Sequence, residues 1–172
     1  MACFEVHLAI FTYIAVTGVL VLASQNPCRF GWAYFQGSCY GFGHERMTWP
    51  EAEQMCVLYE GTLAEIHSKA ENDFVKQYLR NNTILINIYG AWIGGTDIFT
   101  EGTWEWAGTK DLIKEFTDWG PNEPNSIGND GLEDCLAMWK VYDWRWNDED
   151  CHTKQMHFVC ETGSSSPDNI IG

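Results

Sequence analysis

The first stretch with helical spacing of apolar residues follows a capping signature at Thr48 and Glu51. A threonine followed three residues later by a glutamate satisfies two free amides at the start of a helix. Pro50 suits the first turn, and Gly61 stops the run. The apolar positions at this spacing are Trp49, Ala52, Cys56 and Tyr59. This pattern predicts a first helix.

A second capping signature lies at Ser68 and Glu71. The residues that follow it have the pattern of an amphipathic helix that ends at Asn81 and Asn82. Its apolar positions are Ala70, Phe74, Tyr78 and Leu79. The sequence therefore predicts a second helix over this stretch.

Beyond the second helix, short runs rich in Trp, Ile, Val and Phe alternate with Gly, Pro, Asn and Asp clusters, which is typical of strands and turns. The candidate strands are residues 91–94, 103–106, 135–139, 144–147 and 157–160. Helices followed by strands predict an α+β fold. The segment between Ala107 and Glu133 has no element of its own, and a loop that long in a compact domain is usually functional or disordered. We interpret it as functional.

The N-terminus contains 16 consecutive mostly apolar residues, 8–23. This is shorter than the roughly 20 residues of a membrane-spanning helix, and Val21 and Ala23 suit a cleavage site. We predict a signal peptide at 1–23, a domain at 24–162 and a flexible tail at 163–172, in a secreted protein without membrane insertion after cleavage. One feature departs from a signal peptide, because no Lys or Arg precedes the apolar run. A membrane-anchored form is the alternative, but the same lack of basic residues also weakens an anchor, since cytoplasmic Lys and Arg set its orientation. Too few residues precede Cys28 for a stalk, so any homo-oligomer would form through the domain itself.

Six cysteines remain after the predicted cleavage, an even number that indicates three disulfides in an oxidising compartment. They are Cys28, Cys39, Cys56, Cys135, Cys151 and Cys160. Spacing alone leaves their pairing open. A zinc site using His152 and His157 is the weaker alternative, because the chain has no C-x-x-C pair.

With 172 residues, of which 45% are hydrophobic, the chain can build one packed domain. Its 24 acidic and 10 basic side chains give a formal charge of −14. That charge argues against nucleic acid, whose phosphates require basic surfaces, and suits a hard cation such as calcium.

Side chains with oxygen donors accumulate in the long segment and in the last predicted strands. They are Glu123, Asn125, Glu133, Asp134, Asn147 and Asp148. Asp97 and Glu101 form a second group. Calcium takes about six to eight oxygen ligands, so these residues are candidate ligands, although acidic loops are also common as solvated surface.

Five separated motifs lie along the chain: Trp92-Ile93-Gly94-Gly95, Glu123-Pro124-Asn125, Glu133-Asp134-Cys135, Trp146-Asn147-Asp148 and the six cysteines. They occur in the order found in C-type lectin domains, and the chain resembles that family from about Cys28 to Glu161. The single-domain layout is similar to that of invertebrate perlucin-like lectins. The resemblance implies two helices, short antiparallel sheets and a long calcium-binding loop.

The resemblance also implies the disulfide pairing and the ligands. The disulfides would be Cys28–Cys39, Cys56–Cys160 and Cys135–Cys151. Glu123, Asn125, Glu133, Asn147 and Asp148 would bind one Ca²⁺ and the sugar, and Asp97, Glu101, Glu133 and Asp134 would form an auxiliary calcium site. A cis peptide before Pro124 would direct the flanking side chains at one ion.

The Glu-Pro-Asn order resembles family members that bind mannose, N-acetylglucosamine or fucose, so the expected partners are glycans with such terminal sugars, with a role in innate immune recognition. Two departures concern the loop: the interval from Glu123 to Glu133 is about two residues longer than in mannose-binding prototypes, and Ser126 replaces a frequent Asp. Ser126 bears mainly on the auxiliary site.

Catalysis is not expected, because the histidines lack a nucleophile and orienting partner in the sequence pattern. Surface or capping roles are favoured for His44, His67, His152 and His157. Asn81-Asn82-Thr83 matches the N-glycosylation sequon, and we expect it to lie in an exposed loop. The main alternative function is a structural or mineral-matrix protein with acidic calcium-binding loops.

Overall fold

The computed structural model describes residues 26–82, 88–126 and 133–164. The predicted signal peptide lies outside these residues, as do most of the predicted tail and Thr83 of the sequon. The two helices are α1 (Trp49–Leu58) and α2 (Lys69–Asn82). The strands are β1 (Ala33–Phe35), β2 (Ser38–Met47), β3 (Thr62–Leu63), β4 (Gly90–Thr96), β5 (Glu105–Trp106), β6 (Cys135–Trp139), β7 (Arg145–Glu149) and β8 (Met156–Gly163).

These strands form a sheet in the order β1-β2-β8-β4-β6-β7, with β3 added to β8 and β5 added to β4. Most neighbours are antiparallel, but β4 and β8 are parallel, with Ala91 opposite His157 and Trp92 opposite Phe158. This pair joins the N-terminal strands to β6 and β7. The α+β prediction is confirmed, with two helices beside a largely antiparallel sheet.

Helix α1 begins as its capping signature predicts. The backbone amide and the hydroxyl of Thr48 both donate to Glu51 Oε2, at 2.9 and 2.8 Å. At the other end of the helix, the buried Cys56 is bonded to Cys160 in β8. The helix is therefore fixed to the sheet both by packing and by a covalent bond.

Helix α2 uses its capping residues differently. Ser68 Oγ accepts from the Glu71 amide at 3.2 Å, but the Glu71 carboxylate accepts from the amide of His67 and from the Tyr40 hydroxyl, at 2.8 and 2.5 Å. Ala70, expected on the apolar face, is exposed. The second signature therefore ties the helix start to β2 as well as capping it.

The Trp-Ile-Gly-Gly motif lies in β4, which is buried along its whole length. Gly94 donates its amide to Ala64 O at 2.8 Å, and a Cβ at this position would lie only 2.7 Å from Leu63 O. Only glycine allows β3 and the residue after it to approach β4 so closely. The motif is therefore explained by backbone packing.

All three predicted disulfides are present: Cys28–Cys39, Cys56–Cys160 and Cys135–Cys151. The first closes the β1–β2 hairpin region, and the third joins the start of β6 to the residues after β7. Trp92, Trp104 and Trp106 are buried in the hydrophobic core.

Several elements differ from the expectations. Strand β2, the longest among the described residues, was not in the predicted set, so strands precede the helices as well as follow them. His157 is only 9% exposed and stacks on Phe42, because its position on β8 faces the interior. The amide of Ser164 donates to Gly37 O at 2.9 Å, so the first residues of the predicted tail lie in ordered structure.

Candidate functional site

The Glu-Pro-Asn segment, residues 123–125, lies in the second half of the long loop between β5 and β6. The Glu123–Pro124 peptide bond is cis, in agreement with the expectation from the family resemblance. Asn125 Nδ2 donates a hydrogen bond to Glu123 Oε2. The two side chains on either side of the proline are thus in direct contact.

Strand β7 holds this segment through Asp148. The fully buried Asp148 carboxylate accepts through Oδ2 from the backbone amides of Asn125 and Ser126, at 2.8 and 2.7 Å. Asn147 precedes it and donates from Nδ2 to Asp148 O at 2.6 Å. The predicted donors of the loop and of the strand therefore meet at one place.

The charges of three predicted donors converge here. Burial raises the pKa of Glu123, and the nearby carboxylates of Asp148 and Glu133 raise it further, while the Asn125 hydrogen bond lowers it. Carboxylates that disfavour one another's ionised forms in this way favour a bound cation or a shared proton. The structure thus brings together Glu123, Asn125, Glu133, Asn147 and Asp148.

A second acidic group lies beside the first. The Asp97 amide donates to Asp134 O at 3.1 Å, and Asp97 Oδ2 accepts from the Gly102 amide at 2.8 Å. Burial raises the pKa of Asp97 to about 6, and the charges of Glu101, Asp134 and Asp148 act in the same direction. The predicted auxiliary residues are therefore neighbours.

Ser126 links the two groups. Its amide donates to Asp148, and its hydroxyl donates to Glu101 Oε1 at 2.6 Å. A serine here uses one carboxylate oxygen of Glu101 in a hydrogen bond, where an aspartate would add another negative charge. This departure from the family pattern changes the auxiliary group more than the principal one.

Two buried carboxylate oxygens show whether the chemistry of this site suits a metal ion. Asp97 Oδ1 and Asp148 Oδ1 are buried, and neither has a hydrogen-bond partner among the described residues. A buried charged oxygen without a partner is costly, and a hard cation would satisfy it. Within the same residues no three His, Cys, Asp or Glu side chains are already arranged as a metal cluster. The donors thus fit a cation in their chemistry, and we assign no coordination geometry.

A polar network behind the site supports both of its halves. The ammonium of Lys76 in α2 forms an ion pair with Asp118, and Asn72 Nδ2 donates to the same carboxylate at 2.7 Å. Asn72 Oδ1 accepts from the indole of Trp146 at 3.1 Å. Asp118 precedes the Glu-Pro-Asn segment, and Trp146 precedes the donors of β7. The network therefore connects both segments to α2.

The loop and β7 also pair through their backbones. The Trp146 amide donates to Asp118 O at 2.9 Å, and the Gly120 amide donates to Trp146 O at 2.7 Å. The rings of Trp119 and Trp146 meet edge to face, 5.7 Å apart. Two backbone hydrogen bonds and the contact of Trp119 with the buried Trp146 thus fix the distance between the two donor segments.

The sequence reasoning missed this network. Its signal was available, because Asn72 and Lys76 are four residues apart and share the helix face of Val75 and Leu79. Polar residues within an apolar stripe must find buried partners. Nothing in the sequence identified Asp118 as that partner.

Asn81, the predicted glycosylation site, is exposed in the last turn of α2, where its Oδ1 accepts from Gln77 at 2.8 Å. It lies at a helix end and not in a loop. Glycosylation at this position remains a prediction.

A mixed sheet with two helices, three disulfides and a long loop facing β7 is the architecture of the C-type lectin fold. The family described as "Lectin C-type domain" matches residues 45–162. The chain belongs to the C-type lectin family, as its motif order indicated, and this is a family of carbohydrate-binding proteins, not enzymes.

Two curated relatives illustrate the match. A perlucin-like protein of Mytilus galloprovincialis is 31% identical over 153 residues, covering 89% of this chain and 93% of the relative. The human C-type lectin domain family 10 member A is 37% identical over 139 residues, covering 79% of this chain. The chain spans only 40% of that human protein, so the activity of the whole human protein is not transferred.

Among solved structures, the carbohydrate-recognition domain of cow CD23, determined in the presence of a GlcNAc2Man3 oligosaccharide, has a TM-score of 0.70 and 32% identity. The match covers 82% of this chain and 99% of the cow domain. The described residues of our chain contain no helix of the length and hydrophobicity that a membrane crossing requires.

Proposed function

We propose that this protein binds neutral glycans through a calcium ion held by Glu123, Asn125, Glu133, Asn147 and Asp148. The observation that carries the proposal is the position of Asp148. One of its oxygens fixes the Asn125 and Ser126 amides, and the other is buried with no partner among the described residues. A carboxylate that organises a loop and keeps a second oxygen available is suited to ligate a cation.

The same residues would distinguish sugar hydroxyls by hydrogen bonding. A bound calcium would supply a hard cation that the oxygens of two vicinal hydroxyls can ligate. Glu123 can accept a hydrogen bond from one hydroxyl, and the Asn125 amide group can donate to the other. The contact between these side chains places an acceptor and a donor next to each other.

Charge favours a neutral ligand. Glu123, Glu133 and Asp148 contribute −3, calcium contributes +2, and the sum is −1. An anionic sugar would be repelled by this excess and by the adjacent Asp97, Glu101 and Asp134. We therefore propose terminal mannose, N-acetylglucosamine or fucose, the sugars that the Glu-Pro-Asn order indicates.

The protein would act outside the cell. Three disulfides within the domain suit an oxidising compartment. Together with the predicted signal peptide, they support a secreted protein, and extracellular calcium supports weak sites of this kind. The predicted glycan at Asn81 would be consistent with this route.

Calorimetric titration of the purified protein with CaCl2, and then with methyl α-mannoside, tests the proposal. We expect one dominant calcium-binding event, mannoside binding only after calcium addition, and loss of mannoside binding in EDTA that is reversed by calcium. Asp148→Asn should lose both events. Glu45→Gln is the matched control, because Glu45 is an exposed carboxylate on β2, outside both acidic groups.

Mannoside binding that persists in EDTA would contradict the proposal, as would full calcium affinity in Asp148→Asn. Near-ultraviolet circular dichroism of each variant distinguishes loss of the site from loss of the fold. The mineral-matrix alternative is not carried further, because no contact in the described part of the chain favours it.

A further inference from the structure

Two apolar side chains are exposed in the loop that follows β4. Ile98 is 45% exposed and Phe99 is 77% exposed. The loop is held from within by Asp97, whose O accepts from the Thr100 amide at 3.0 Å and whose Oδ2 accepts from the Gly102 amide at 2.8 Å. The backbone that presents Ile98 and Phe99 is therefore fixed before any ligand arrives.

This loop borders the proposed sugar site. Glu101, two residues after Phe99, accepts from Ser126 Oγ at 2.6 Å, and Ser126 directly follows Asn125. The Thr96 hydroxyl donates to Asp134 O at 2.7 Å, and this bond joins the start of the loop to the segment that carries Glu133. The loop that carries Ile98 and Phe99 is thus joined at both ends to the segments that hold the proposed primary site.

The surroundings of these two side chains are acidic. Asp97, Glu101 and Asp134 flank the loop, and the chain as a whole carries a formal charge of −14. An anionic lipid headgroup or an acidic peptide would be repelled here. A ligand that covers Phe99 must be apolar on one side and neutral or hydroxyl-bearing at its edge.

A pyranose ring has this character. One face of the ring exposes C–H groups that pack on an aromatic side chain, while its edge carries hydroxyls that can donate to carboxylates. Covering an exposed aromatic ring with such a face removes apolar surface from water and stabilises the complex. Two adjacent apolar side chains with Thr100 and Glu101 at their edge make a surface suited to one sugar residue.

We propose that Phe99, supported by Ile98, forms a second saccharide subsite that packs against the sugar linked to the one in the primary site. This inference rests on the proposed function, since it needs a primary sugar. It makes Phe99 a residue that determines preference for oligosaccharides over monosaccharides.

The test compares methyl α-mannoside with the α1-2, α1-3 and α1-6 linked mannobiosides in calcium. In the wild-type protein at least one mannobioside should bind more tightly than the monosaccharide. Phe99→Ala should lower the affinity for that mannobioside by about three- to tenfold, the range expected for one aromatic contact. The affinity for methyl α-mannoside should not change. Phe99→Tyr should keep the preference. Phe30→Ala is the matched control, because Phe30 is an exposed phenylalanine in the N-terminal region.

The results separate the two proposals. Flat wild-type titrations with every mannoside would overturn the mannose assignment of the proposed function and the subsite with it. Wild-type binding of methyl α-mannoside with no effect of Phe99→Ala on any mannobioside would overturn the subsite alone. An equal loss for monosaccharide and mannobioside would also overturn it, as would a loss seen only with phenyl α-mannoside, which would assign Phe99 to an apolar aglycone.

Discussion

The carboxylate of Asp148 in β7 accepts a hydrogen bond from the backbone amide of Asn125 at 2.8 Å, and this bond joins the two segments that carry the proposed ligands. The strand is part of the sheet, and the loop forms no helix or strand in its described residues, 107–126 and 133–134. A buried carboxylate therefore transfers the rigidity of β7 to the loop that carries Glu123 and Asn125. The predictions below follow from this arrangement and from the contacts that support it.

Exchanging the two side chains around Pro124 should change sugar preference. In the double variant with Glu123→Gln and Asn125→Asp, the donor moves to position 123 and the acceptor to position 125. We expect the ratio of mannose affinity to galactose affinity to fall by about tenfold or more, which corresponds to about 1.4 kcal/mol. Competition by the two free sugars for a mannose-coated surface measures this ratio. An unchanged ratio with intact calcium binding would refute the assignment.

Removing the buried partner of Lys76 should destabilise the domain. The Lys76 and Asp118 side chains are 11% and 17% exposed, so Asp118→Ala leaves a nearly buried ammonium without its carboxylate. We expect a loss of about 3 to 5 kcal/mol in the free energy of unfolding, measured with urea.

Asp73→Ala provides the comparison for that variant. Asp73 pairs with Lys69 on the same helix at 56% and 77% side-chain exposure, so its loss should cost less than about 1 kcal/mol. Equal effects of the two substitutions would show that the Asp118 ion pair is not a buried support of the loop.

The disulfide that closes the longest loop should contribute most to stability. Cys56–Cys160 spans 104 residues, and the chain-entropy relation gives about 4.7 kcal/mol for it. Cys28–Cys39 spans 11 residues, for which the same relation gives about 2.8 kcal/mol. Replacing each pair by alanine and measuring thermal unfolding should reproduce this order. The reverse order would mean that packing of α1 and β8 outweighs the covalent constraint.

Protonation of His157 should weaken the fold in mild acid. Burial lowers the pKa of His157 below its usual 6.5, and its contact with Gly43 O only partly offsets this. The unfolded chain therefore binds a proton more readily than the folded one, and this contribution to stability falls as the pH drops below about 6.5. His157→Phe should lose less stability than the wild type between pH 7.5 and pH 5.5.

The measurement for His157 is urea unfolding at both pH values, with the difference between variant and wild type as the readout. Other titrating groups, including Asp97, contribute to both proteins and cancel in that difference. His152→Gln, at an exposed position, is the control. If the unfolding free energy of His157→Phe changed with pH as much as that of the wild type, the prediction would be contradicted.

The sequence by itself determined the local elements and the chemistry of the site. The Thr48–Glu51 capping box set the start of α1, because its hydrogen bonds join residues three apart. Six cysteines and the motif order were sufficient to identify the family and, through the resemblance, the three pairings. The donors around Pro124 and in Trp-Asn-Asp were recognisable because hard cations select oxygen-bearing side chains.

Only the tertiary structure decided which distant groups meet. The pairing of β4 with β8, the burial of His157 and the ion pair of Lys76 with Asp118 each join segments at least 40 residues apart in the chain. The exposed pair Ile98 and Phe99 became informative only when the Ser126–Glu101 bond placed their loop beside the site. Such contacts depend on how β2, β8 and the long loop pack together, and local residue patterns do not encode that packing.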